Sequence, residues 1–240
     1  MSIQIIGQGR AGLSLFDALG SLGWDTPAVL GRGDSLLTLP SVDVIALAVP
    51  DNAIASVARS LPPTSTPIIH LSGSRSLADL EPHFNVGSLH PLVSLPNRSV
   101  GAARLLDNCF FAVAGHPITV DIARSLGGRF AVVNDERRSV YHAAATVAAN
   151  HSVALAAQVE ALAVTAGIDP DPLYELMITT IENVRALGPA AALTGPASRG
   201  DWDTIRGHLK AIGPEHEAFY RAALSETIRL TDLTPPEDLA

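Results

Sequence analysis

The stretch Ile3-Gln4-Ile5-Ile6-Gly7-Gln8-Gly9-Arg10-Ala11-Gly12 decides the fold. Ile3–Ile6 is a short apolar run that reads as a strand, and Ala11–Leu22 reads as the helix that follows. Gly7 to Gly12 between them spell G-x-G-x-x-G. Alone the pattern is weak, because any glycine-containing turn can produce it. Placed directly between a strand and a helix, at the start of a βαβ pattern, it becomes a dinucleotide fingerprint. Gly7 permits the tight turn, Gly9 lets the backbone approach a pyrophosphate, and Gly12 allows the helix to pack close to the strand. Amides at the helix start offer donors and a partial positive charge to phosphates. Gln8, Arg10 and Ala11 complete the expected cofactor loop. The alternative is a tight strand–helix turn without a ligand.

Outward from that loop, strand and helix patterns alternate. Strands are predicted at Pro27–Leu30, Val42–Val49, Pro67–Leu71, Val86–Leu89, Phe110–Ala114 and Arg129–Val133. Helices are predicted at Asn52–Ser60, Leu77–Leu80 and Ile118–Leu126. Continuous apolar strands alternating with helices imply a parallel sheet covered on both faces. From Asp135 to Thr231 no strand is evident, only helical patterns at Ser139–Ala166, Pro172–Leu187, Trp202–Ile212 and Pro214–Leu230. The fold class is therefore α/β: a Rossmann-type parallel-sheet domain over 1–134, then an all-α domain over 135–240.

Composition narrows the partners. The chain has 240 residues, 47% of them hydrophobic and 17% charged, with a formal net charge of -8. An acidic chain without a lysine or arginine run repels phosphate backbones, which argues against nucleic acid. The single cysteine, Cys109, rules out an internal disulfide and fits a reducing cytoplasm. It reads as inert packing. No signal peptide is evident, and the apolar run at Ala143–Ala149 continues into a helix with Asn150 and His151, read as too polar to span a bilayer. No membrane partner and no metal site are expected.

The cofactor's identity hangs on the end of the second predicted strand. An NAD site normally carries an acidic residue there for the ribose 2′-hydroxyl. This chain has Leu30-Gly31-Arg32-Gly33-Asp34. Arg32 can pair with a 2′-phosphate through a planar fork of donors, so NADP is favoured over NAD. Asp34 complicates the choice, since another loop path could aim it at the ribose. Val49-Pro50-Asp51 ends the next strand and is expected to line the cofactor, although Pro50 and Asp51 would equally well start a helix.

Candidate catalytic groups follow strand ends. Hydride transfer to a carbonyl or imine needs a proton donor, and Ser72 in His70-Leu71-Ser72-Gly73 or His90 in Ser88-Leu89-His90-Pro91 could supply it. His142, Thr146 and Asn150 recur at helical spacing, placing a polar stripe on one face. Buried polar groups need partners, and those partners are either a substrate or a neighbouring helix. In Thr194-Gly195-Pro196-Ala197-Ser198-Arg199-Gly200-Asp201, Arg199 could clamp a substrate carboxylate or simply pair with Asp201.

Taken in order, these segments resemble the Rossmann-like oxidoreductases with a C-terminal helical domain of unknown function. That family lies in the broad 6-phosphogluconate dehydrogenase-like superfamily, with pyrroline-5-carboxylate reductase, ketopantoate reductase and prephenate dehydrogenase as relatives. The resemblance implies a helical domain that completes the active site and supports a homodimer. His90 looks like the histidine of the prephenate dehydrogenase His-Pro segment, and Asn150 like the asparagine on the first long helix of the hydroxyacid dehydrogenases. Those enzymes carry a lysine four residues before that asparagine, where this chain has Thr146, so a lysine-based acid/base scheme does not transfer. The implied activity is an NADP-dependent reductase or dehydrogenase acting on a small oxo- or imino-carboxylate, possible substrates including ketopantoate. The alternative is a dinucleotide-binding sensor without turnover.

Overall fold

In a computed structural model, which describes residues 1–239, six strands form one sheet in the order β1-β2-β3-β4-β5-β6. They are β1 (Ile3–Ile6), β2 (Val44–Leu47), β3 (Ile68–His70), β4 (Val86–Pro91), β5 (Phe110–Gly115) and β6 (Arg129–Val132). Side chains alternate across a strand, so Ile3, Ile5, Val44 and Ala46 enter one core and Ile6, Ile45 and Leu47 another. Both faces are dry, which explains the continuous apolar runs. The first core is closed by α1 (Arg10–Ser21), α3 (Arg98–Leu106) and α4 (Ile118–Ser125), and the second by α2 (Ile54–Ser60). This is a Rossmann-like arrangement, as the sequence implied.

Three local differences matter. First, β4 and β5 pair antiparallel, with Leu89 opposite Val113, so the sheet is only mostly parallel. The chain leaves β4 and re-enters β5 at the same end, where the Leu92 amide bonds the Phe110 carbonyl. The α3 helix in that connection, capped by the Asn97 side chain on the Val100 amide, went unpredicted. Second, Pro27–Leu30 is no regular strand. Asp25 and Leu30 make isolated parallel bridges to Ser2 and Ile6 at the open edge of β1. Pro27 lacks the amide hydrogen a continuous ladder needs. Third, the first compact unit runs from Met1 to Ala149, beyond the boundary placed at 134. α5 (Asp135–Thr146) stays with the sheet because Asp135 accepts from Ser76 and Leu77 and the buried Arg138 bonds Ser88.

The second unit begins at Asn150 and is helical: α6 (Ser152–Ala166), α7 (Asp171–Leu187), α8 (Pro189–Ala192), α9 (Trp202–Ala211) and α10 (Pro214–Ile228). Ala197, Ile205, Leu224, Ile228 and Leu239 form its small core. α5 and α6 are one continuous helix joined by a π turn at Val147–His151. Although the sequence suggested it was too polar, Asp135–Ala166 is the one helix among the described residues long and apolar enough, by length and composition, to cross a membrane.

Candidate functional site

Gly7 follows β1 with φ 125°, a left-handed conformation that glycine adopts freely. A Cβ there would strike the Ala48 carbonyl, and one on Gly12 would strike the Gly7 carbonyl. The loop is thus pressed onto the end of β2 and the start of α1. No side chain caps α1 at Gly9, which leaves its first-turn amides available to an anion. A Cβ on Gly9 would come no nearer than 4.0 Å to another atom, so its outer side is open.

That open side belongs to a cavity of about 510 Å³. Gly9, Arg10 and Ala11 line one end, Ala48, Val49 and Pro50 continue from β2, and Leu71, His90, Pro91 and Val93 to Leu95 complete the wall. The cavity therefore joins the expected cofactor residues to His90. Gly7 and Gly12 shape the loop without lining the cavity, and Gln8 braces it by donating to the Val29 carbonyl at 3.0 Å. Arg32 is exposed and has no side-chain partner among the described residues. The Asp34 carboxylate accepts from the Gly31 amide at 2.7 Å, which engages it inside its own turn.

Beside His90 lies a polar layer between β4, α5 and the loop after β3. Ser88 and His90 share one face of β4, and Arg138, Tyr141 and His142 share one side of α5. Arg138 Nη1 donates to Ser88 Oγ at 2.8 Å, and Tyr141 Oη lies 2.7 Å from His90 Nδ1. His142 packs edge-on against His90, with ring centroids 5.9 Å apart. A Cβ on Gly73 would come within 2.7 Å of His142 Cδ2 and 2.9 Å of His90 Nε2. The missing side chain leaves a notch in front of Nε2.

Burial, helped by His142 and Arg138, pushes His90 down to about 4, so its ring is neutral near pH 7. Burial also pushes the Tyr141 hydroxyl up to about 12, keeping its proton. His70 is driven down to about 4 by burial and then by Arg138. Its Nδ1 accepts from the Ser72 amide, while Nε2 has no partner among the described residues. Asp135 works against burial, yet hydrogen bonds from Ser76 and Leu77 and the Arg138 charge hold it below the usual carboxylate range. Burial raises the Cys109 thiol to about 11, consistent with inert packing.

The other expected residues separate by environment. The Ser72 hydroxyl donates to Asp51 at 2.8 Å and accepts from the amides of Ser74 and Arg75. It is occupied in holding a turn, which makes it a poor proton donor. Thr146 closes α5, half-buried. The π turn interrupts the α-helical spacing on which its alignment with Asn150 relied. Asn150 and Arg199 belong to the second unit, and both are exposed. The Arg199 guanidinium stands 4.0 Å from the Asp201 carboxylate, in keeping with the internal pair. Sequence reasoning missed Arg138 and Tyr141 as site residues, and it placed Asp51 at the cofactor without foreseeing its bond to Ser72. The one sequence signal that could have found the first two is the helical spacing of Arg138 and Tyr141 just before His142.

Comparison with known proteins fits this picture. Residues 110–227 match a domain of unknown function, DUF2520. This bears out the resemblance noted for the helical part, and the DUF2520 match begins at β5 within the sheet. The fold is similar to a candidate NADP oxidoreductase from Bacteroides fragilis, with a TM-score of 0.78 at 19% identity over 95% of this chain and 98% of that one. A Thermotoga maritima protein gives 0.76 at 22% identity over 96% and 98%. Pyrroline carboxylate reductase from Plasmodium falciparum, solved with NADP bound, gives 0.63 at 12% identity over 96% and 98%. No curated protein matches the sequence.

Proposed function

We propose that the protein is an NADP-dependent reductase acting on a small oxo- or imino-carboxylate, with ketopantoate the first compound to try. The carrying observation is the cavity that runs from the uncapped start of α1 to His90. The residues fit the cofactor: Gly9 leaves room for a pyrophosphate, the α1 amides would bond it, and Arg32 is free to meet a 2′-phosphate. The Plasmodium falciparum reductase named above, solved with NADP, and an Aspergillus terreus reductive aminase, solved with NADPH4, share the fold and support this choice. When bound, the nicotinamide would supply hydride to the substrate carbon.

His90 would supply the proton to the substrate oxygen or nitrogen from Nε2. Tyr141 would pass its own proton to Nδ1 in the same step, and a solvent proton taken up at Nε2, with return of the Nδ1 proton to the phenolate, would restore both groups. The functional test is NADPH oxidation, followed by absorbance, against a panel of oxo- and imino-carboxylates. Oxidation with one panel member supports the reductase. NADPH binding without oxidation by any of them favours the sensor reading, which the replacement of a lysine by Thr146 makes worth testing.

The second unit would make a homodimer. α6 is mostly apolar, yet only Ala163 of it is buried. A helix of that kind needs cover. Leu155, Val159, Leu162, Leu176, Met177 and Ile181 line a cavity of about 730 Å³ between α6 and α7. A second copy would bury this face, and light scattering of the purified protein reads the stoichiometry.

A further inference from the structure

Arg138 is fully buried, at 1% exposure, and leads the large buried side chains among the described residues. A guanidinium so placed needs a reason, because an ordinary hydrophobe would fill the space without desolvating a charge. Its donors reach four acceptors: Asp135 Oδ1, the carbonyls of Ser72 and Val133, and Ser88 Oγ. Asp135 provides the one carboxylate, and that group also serves Ser76 and Leu77.

The geometry makes Arg138 part of a two-rung ladder between α5 and β4. Arg138–Ser88 is one rung at 2.8 Å, and Tyr141–His90 is the other at 2.7 Å. Ser88 and His90 are spaced two residues apart on a strand, and Arg138 and Tyr141 three apart on a helix, so fixing one rung fixes the second. Arg138 also anchors the Ser72 carbonyl, next to Gly73 and its notch at His90 Nε2.

We propose that Arg138 is the positioning residue for His90: it sets the register in which Tyr141 donates to Nδ1 and leaves Nε2–H as the edge facing the Gly73 notch. Tyr141 supplies the direction of that bond. Its hydroxyl keeps its proton, and Nδ1 is its only hydrogen-bond partner among the described residues. A ring that accepts at Nδ1 must carry its single proton on Nε2. The charges facing His90 hold it in that neutral form. Burial, His142 and Arg138 all disfavour imidazolium, while only Asp51 opposes them. The inference rests on the reductase reading for its purpose, although the tautomer itself needs no cofactor.

The test is long-range ¹H–¹⁵N NMR of the histidine rings in the full chain without nucleotide, from pH 4 to 8. Wild type should show His90 neutral down to about pH 4, with the proton on Nε2. A wild-type ring protonated at Nδ1, or titrating at an ordinary histidine pH, overturns the proposal whatever the variants do. Arg138→Met should raise the pH of His90 titration and mix the two tautomers. Folded Arg138→Met with an unchanged His90 would also overturn it. If Arg138→Met does not fold, Ser88→Ala removes one rung and keeps the charge. It should mix the tautomers while leaving the ring neutral, and an unmixed ring contradicts the ladder. Failure of the reductase reading would instead appear as no NADPH oxidation beside a correct tautomer.

Discussion

Tyr141 Oη lies 2.7 Å from His90 Nδ1, joining the helix after the last strand to the fourth strand of the sheet. This bond gives the imidazole a fixed tautomer and directs its other nitrogen toward the space left by Gly73. Tyr141→Phe keeps the ring packing and removes the bond. We expect kcat for the best substrate to fall about 100-fold, within the usual range for general acid–base groups, with NADPH affinity little changed. An unaltered kcat would remove Tyr141 from the proton path.

Gly73→Ala tests the notch. The new methyl group would press on His90 and His142 ring edges, and overpacking of this kind costs about 1–3 kcal/mol. Turnover should drop at least about 10-fold as His90 shifts, while NADPH binding persists. Normal turnover would place the reacting atoms elsewhere.

Acid should weaken the fold through two of its histidines. His70 and His90 each lie at about 4 in the folded protein, below the ordinary 6.5. The unfolded chain therefore takes up more protons between those values, so their contribution is full above pH 6.5 and is lost as pH falls toward 4. Each ring corresponds to about 3 kcal/mol at most. Urea unfolding from pH 7 to 4 should show a falling midpoint, and His90→Gln should reduce the slope. A flat profile would mean that the rings titrate normally in the fold.

Arg32→Ala should weaken NADPH about 10- to 100-fold and leave NADH nearly unaffected, because a charged hydrogen bond to phosphate is worth about 1.5–3 kcal/mol. Equal losses for both nucleotides would deny Arg32 a role in choosing between them. Isothermal titration of each nucleotide reads the difference.

Leu176→Glu puts a charge on the apolar face of α7, where Leu176 is 60% exposed. If a second copy covers that face, the variant should run as a folded monomer by light scattering. An unchanged stoichiometry would move the interface elsewhere.

Much of this fold was legible because the chain punctuates itself. Gly7 to Gly12 marks the strand–helix turn, and the apolar runs at Val44–Leu47 and Phe111–Val113 mark strands buried on both faces. Strand direction was not legible, since a helix between two strands looks the same whether the chain crosses the sheet or returns at one end. β4 and β5 show the second case. His90 was visible from its place at a strand end. Arg138 and Tyr141 were not, because their partners come from segments about 50 residues away. A buried arginine has no local sequence mark distinct from a surface one. Ser72 looked like a free hydroxyl, and only tertiary contact shows it tied to Asp51.

Dinucleotide binding through the Gly7–Gly12 loop is the step on which the proposed reductase depends. Its most direct test is titration of wild type and Gly9→Val with NADPH and NADH, followed by energy transfer from Trp24 and Trp202. A Cβ at Gly9 meets no protein atom nearer than 4.0 Å, so the variant should fold normally while obstructing a pyrophosphate. The expected result is tight NADPH binding by wild type, weaker NADH binding, and loss of both in folded Gly9→Val. If folded wild type binds neither nucleotide at millimolar concentration, or Gly9→Val binds as well as wild type, the claim is contradicted.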